Sequence, residues 1–134
     1  MINFYVYYNG VLDNVFYARL IKRLMNGYIS DDLKPIEHII KKNSFYSYMY
    51  AMNVIKGRWP EAEHIIMRNS YYAVFYAKEV IKGRWIEAEP YIKTTPMSAY
   101  RYAKYVLHNR WVEAEDVIKI DWVWWGEYNK DFEL

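Results

Sequence analysis

Apolar positions in this chain follow two nested periods. Along 71–82, Ala73, Tyr76, Ala77, Val80 and Ile81 fall at i, i+3, i+4, i+7 and i+8, the spacing of one helical face. That face returns as Ser47, Tyr50, Ala51, Val54 and Ile55, and again as Ala99, Tyr102, Ala103, Val106 and Leu107, each copy displaced by 26 residues. Polar residues bound the pattern. Asn69 or Ser70 offers a side-chain acceptor for the free N–H groups of a helix start. Gly57 and Gly83 stand where a helix would end on a left-handed residue, and Asn109, the next best choice, takes that place in the third copy. A helix from about Tyr71 to Lys82, with counterparts one period away on both sides, is the prediction.

A second block keeps the same period. Arg58-Trp59-Pro60-Glu61-Ala62-Glu63, Arg84-Trp85-Ile86-Glu87-Ala88-Glu89 and Arg110-Trp111-Val112-Glu113-Ala114-Glu115 align without a gap at 26-residue spacing. Ile66, Ile92 and Ile118 follow in step, with Ile40 one period earlier, and Tyr128 continues the column of Tyr50, Tyr76 and Tyr102. Pro60 suits a first helical turn, where no N–H is needed, and the glutamates suit the positive end of a helix dipole. Each unit therefore reads as helix–turn–helix. One such unit cannot bury its own stripe, so the expected fold is all-α, a short α-solenoid of about four stacked 26-residue repeats with atypical caps at both ends.

The ends depart from the pattern. Residues 33–40 form a weaker copy, with Leu33 in the tryptophan position. Further back, Phe16-Tyr17-Ala18 matches Phe75-Tyr76-Ala77 only if about seven extra residues lie near Leu24–Ser30. Ile2–Tyr8 alternates weakly before the Asn9-Gly10 turn signal, as a short strand or a covering segment would. Trp122-Val123-Trp124-Trp125 opens a last helix, and the polar stretch 127–131 closes the array. The whole chain reads as one repeat domain: 1–31 as cap and degenerate first unit, 32–57, 58–83 and 84–109 as repeats, and 110–134 as last half-unit and cap.

Composition adjusts this picture at a few points. Of 134 residues 20% are aromatic, including sixteen tyrosines, a ring with a polar tip that suits thin, incompletely dry interiors. A net charge of +2 is mild for a dedicated nucleic-acid protein. The absence of cysteine excludes disulfides, thiolate metal sites and thiol nucleophiles. The N-terminus has no signal-peptide pattern, and no apolar run nears the roughly 20 residues of a membrane span. A cytoplasmic protein without a membrane partner is the expectation.

Candidate chemistry is sparse. Arg58, Trp59 and Glu61, with Arg84, Trp85, Glu87 and Arg110, Trp111, Glu113, read as scaffold: the tryptophans as a ladder between units, each arginine paired with the glutamate three residues on. Paired carboxylates such as Glu61 and Glu63 recur in equivalent surroundings, whereas acid–base work needs two environments that separate the pKa values. His38 and His64 share a repeat column, and His108 adds no ligand spacing. No catalytic residue, metal site or cofactor is expected. The outer face of the long helices is more suggestive. Tyr48, Lys56, Lys78, Lys82, Tyr100, Arg101, Lys104 and His108, with Tyr105, make a basic, partly aromatic strip across the units. Trp122, Trp124 and Trp125 form either a cap or an exposed interface, which leaves self-association open.

The string Tyr76-Ala77-Lys78-Glu79-Val80-Ile81-Lys82-Gly83-Arg84-Trp85-Ile86-Glu87-Ala88-Glu89-Pro90 resembles a short repeat of uncharacterised tailed-phage and other viral proteins, with the pattern Y-A-x-x-V-I-K-G-R-W-P-E-A-E-P-x-I. The likeness extends over about 44–119, although each proline of the pattern stands in a single unit here. It implies a viral source and a non-enzymatic scaffold, and it brings no catalytic residues. The expected role is a phage-encoded binding module for a host or viral protein, in counter-defence or regulation. The alternative is a nucleic-acid or nucleotide binder that uses the Lys/Arg/Tyr strip.

Overall fold

A computed structural model of the chain describes residues 33–134, together with Lys22 and Asn26. The readings of Ile2–Tyr8, Asn9-Gly10, Phe16–Ala18 and, apart from Asn26, Leu24–Ser30 lie outside the described residues. What is described is all-α, with no strand among those residues.

Short and long helices alternate. A 3-10 turn, Lys34–Ile36, leads into α1 (Glu37–Ile40), and α2 (Ser44–Tyr50) continues into a π turn, Ala51–Ile55. Next come α3 (Pro60–Ile66) and α4 (Ser70–Phe75), the latter continued by the π turn Tyr76–Ile81. The 3-10 turn Ile86–Ala88 opens α5 (Glu89–Ile92), and α6 (Pro96–Tyr102) runs into the π turn Ala103–Leu107. Val112–Ala114, α7 (Glu115–Ile118) and α8 (Trp122–Asp131) complete the order.

Each long helix begins on a cap drawn from one column. Asn43, Asn69, Thr95 and Asp121 are extended, and their side chains accept N–H groups of the first turn, from Tyr46, from Tyr71 and Tyr72, from Ser98, and from Val123 and Trp124. The cap is thus Asn69 rather than Ser70. Where these helices end, the structure corrects the glycine assignment. The left-handed residues are Lys56, Lys82 and His108, at φ of 58°, 59° and 53°. Gly57, Gly83 and Asn109 come one place later and donate N–H to Ala51, Ala77 and Ala103, the same carbonyls that receive the π-turn N–H of Lys56, Lys82 and His108. An α-helical last turn would put the reversal at the glycine. The π turn places the reversal one residue before the glycine.

Burial follows the columns. Ile40, Ile66, Ile92 and Ile118 are fully buried, as are Ala51, Ala77 and Ala103, and Ala62, Ala88 and Ala114. Alanine at these positions lets each long helix lie close to the short helix after it, and each also packs on the next long helix. Tyr48, Val74 and Tyr100 fill one column of that second contact, while exposed Gly126 stands in the same column of α8.

Candidate functional site

The repeated polar residues form one hydrogen-bonded relay per unit. Arg58 grips Glu63 through Nε and Nη2, both at 2.8 Å. The Tyr76 hydroxyl donates to Glu63 Oε1 at 2.9 Å and accepts the backbone N–H of Trp59 at 2.8 Å. Tyr102 joins Trp85 to Glu89, and Tyr128 joins Trp111 to Glu115, in the same way, with Arg84 and Arg110 holding the carboxylates. In the first described unit Tyr50 reaches Glu37 at 2.7 Å, although Leu33 replaces the tryptophan. The ring of each tyrosine serves a different neighbour. Tyr50 lies on Trp59, Tyr76 on Trp85 and Tyr102 on Trp111, at 4.8, 4.9 and 4.9 Å between centroids. Its hydroxyl closes its own unit, and its ring holds the next. Tyr128, with no tryptophan ahead of it, packs on Trp125 and Phe132.

Three expectations change here. Each arginine pairs with the glutamate five residues on, not three, so Glu61, Glu87 and Glu113 remain exposed. The arginine precedes the helix, so helical neighbour spacing does not apply to it. Second, Trp59, Trp85 and Trp111 are buried, but their ring partners are tyrosines rather than one another, and they form no ladder. Third, Glu63, Glu89 and Glu115 do more than favour a helix dipole. Burial pushes the Glu63 carboxyl up, but hydrogen bonds from Arg58 and Tyr76 outweigh it and hold the pKa below the usual value. Arg110 and Tyr128 do the same for Glu115. Burial raises the phenols of Tyr76 and Tyr102, and the carboxylates beside them add to the shift. Glutamate held ionised and tyrosine held protonated are fixed in opposite states, whereas a general acid or base needs a pKa near the working pH. The relay fits a latch.

The outer strip divides. Tyr48 and Tyr100 are buried between long helices, and burial pushes the Tyr48 phenol up to about 12. Lys104 is tied down, 2.9 Å from Asp131 and 3.1 Å from the Tyr100 hydroxyl, which itself donates to Asp131. The remaining members line a trough along the seams between long helices. Lys56 and Lys82 flank one depression of about 380 Å³, and Lys78, Lys82, Tyr105 and His108 line the next, of about 310 Å³. Tyr71, Phe75, Lys78, Arg101 and Tyr105 line a third, of about 330 Å³. The first two share Lys82 in their walls and the last two share Lys78 and Tyr105, so the three adjoin in a row. Tyr71, Phe75 and Glu79 belong to this lining but escaped the sequence reading. Tyr71 lies one helical turn before Phe75, on the strip side, and that spacing alone could have marked both.

Within the trough the cations differ. Arg101 lies over the rings of Tyr71 and Trp124, at 5.6 and 5.8 Å from their centroids. Lys78 lies 5.1 Å from the Tyr105 centroid and 3.1 Å from Glu79. The side chains of Lys56 and Lys82 have no hydrogen-bond or ion-pair partner among the described residues. Both residues are left-handed, a conformation that costs a residue with a Cβ about 1–2 kcal/mol and that glycine adopts freely. A cation at a helix C-terminus recovers about 0.3–1 kcal/mol, less than the cost.

The terminal tryptophans also divide. Trp122 is 83% exposed, in a column held elsewhere by Ser44, Ser70 and Pro96. Trp124 packs on Tyr100 and Arg101, and Trp125 on Tyr128. Among the described residues no helix is long and apolar enough to cross a membrane, and no group of three acidic or histidine side chains is placed to hold a metal. Comparison with known proteins finds no matching family model, curated protein or solved structure.

Proposed function

We propose that the chain is a non-enzymatic helical-repeat binding module, a short α-solenoid of about four stacked 26-residue units, that engages a protein partner along the trough between its long helices. The observation that carries this reading is the division of labour among side chains. The recurrent tryptophans, the tyrosines that cap them and the glutamates those tyrosines reach are taken up in the relay and the ring contacts, while Lys56, Lys78, Lys82 and Tyr105 line adjoining depressions on the outer side. The likeness to tailed-phage and viral repeats supports a virus-encoded protein acting in the host cytoplasm on a host or viral protein, as a counter-defence or regulatory factor would. Immobilised chain should retain a discrete protein from nuclease-treated host lysate, and Lys78→Glu with Lys82→Glu should release it while the helical circular dichroism is unchanged. Retention of nothing, with tight nucleotide binding, would overturn the reading.

A second reading, a nucleic-acid or nucleotide binder, draws on the same cations and on exposed Tyr71 and Tyr105. It requires affinity that falls steeply with added salt, and salt-insensitive or absent binding of oligonucleotides removes it.

A further inference from the structure

We propose that the trough takes an extended acidic segment of a partner protein, with a carboxylate on every third residue that meets Lys56 and Lys82 in turn. The inference rests on the reading of the chain as a protein-binding module and supplies the chemistry of its partner.

Charge is the first argument. Lys56, Lys78, Lys82 and Arg101 line the trough against a single lining carboxylate among the described residues, Glu79, which Lys78 already engages. The second is the backbone at Lys56 and Lys82. Each holds a strained left-handed conformation with a glycine immediately after it, and neither side chain has a partner among the described residues. Backbone strain retained around an unengaged cation in successive units points to a ligand. The third argument is spacing. These lysines end successive packed long helices, whose axes lie about 8–10 Å apart, and an extended chain covers that distance in about three residues at roughly 3.3 Å each.

The tyrosines argue against a nucleic-acid strand. Base stacking needs free ring faces. Lys78 and Lys104 lie over Tyr105, while Arg101 lies over Tyr71, whose ring also meets Tyr72 and Phe75. The trough offers cations already braced by rings, a surface for carboxylates rather than bases.

The test uses the whole chain and three fluorescent probes of equal charge: a Ser/Pro-spaced peptide with Glu at every third position, the same composition with its acids in one block, and oligothymidylate. The spaced peptide should bind best. The Lys56→Gly/Lys82→Gly variant should melt at a higher temperature, because glycine relieves the left-handed strain, yet bind the spaced peptide about tenfold more weakly. A protein that gains stability while it loses ligand cannot have lost it by unfolding. As a second variant, Lys56→Glu/Lys82→Glu should abolish binding. Equal binding of spaced and blocked peptides, undiminished binding by both variants, or preference for oligothymidylate overturns the proposal. If a lysate protein is held by wild type and still held by both variants, the acidic-segment proposal fails while the binding-module reading stands.

Discussion

Tyr76, Tyr102 and Tyr128 show how a fully buried residue can owe its place to its polar tip. Each hydroxyl satisfies one backbone N–H and one carboxylate, so its loss strands a buried donor and weakens a buried charge. Tyr102→Phe should therefore destabilise the protein by about 1–3 kcal/mol in denaturant unfolding, well above the effect of an exposed phenol such as Tyr91→Phe. An equal, small effect for both would show that the relay contributes little. At this scale the sequence was a partial guide. The Arg, Trp, Glu and Tyr columns stood out as recurrent, and a buried phenol needs a partner, which could have linked Tyr76 to Glu63. Their connection stayed hidden because the arginine and tryptophan precede the helix. Tyr48 and Tyr100 were misplaced for a related reason. Helical periodicity separates faces, but it does not say which face a neighbouring helix will cover.

For single elements, local chemistry was the more dependable guide to starts than to ends. Asn43, Asn69, Thr95 and Asp121 are strong N-cap residues in one column, and the helices begin directly after them. Asn69→Ala should cost about 1 kcal/mol, and Asn69→Asp should retain most of the stability, since only the acceptor matters. Equal losses from both would assign Asn69 some other role. The C-terminal turns were not foreseen as π-helical. No residue preference marks that widening, and only the packed neighbours and the doubly bonded carbonyls of Ala51, Ala77 and Ala103 accompany it.

Across the whole molecule the relays predict a stability plateau with two edges. The folded pKa values of Glu63 and Glu115 are depressed, so their contribution is present above the ordinary value of 4.5 and is lost as pH falls through and below it. Burial, with the neighbouring carboxylates, raises the phenols of Tyr76 and Tyr102 above the ordinary value of 10.0, so their contribution is complete below that value and is lost as pH rises above it. Urea midpoints should stay level from about pH 5 to 9 and fall on both sides. An acid edge that persists unchanged in Glu63→Gln/Glu115→Gln would remove the carboxylates as its cause.

Each tryptophan meets the preceding unit through its ring and the tyrosine that follows through its backbone N–H. Truncating only the tryptophan side chain should therefore be felt first in the preceding unit, whose tyrosine ring rests on it. With Trp85→Leu, Tyr76 loses its backing, and the amide of Trp59, which that tyrosine caps, should exchange with solvent faster. The Trp111 amide, guarded by Tyr128, should hold its rate. Faster exchange at Trp59 with an unchanged rate at Trp111 would locate the coupling in the shared ring contact, and equal acceleration at both amides would show that it lies elsewhere.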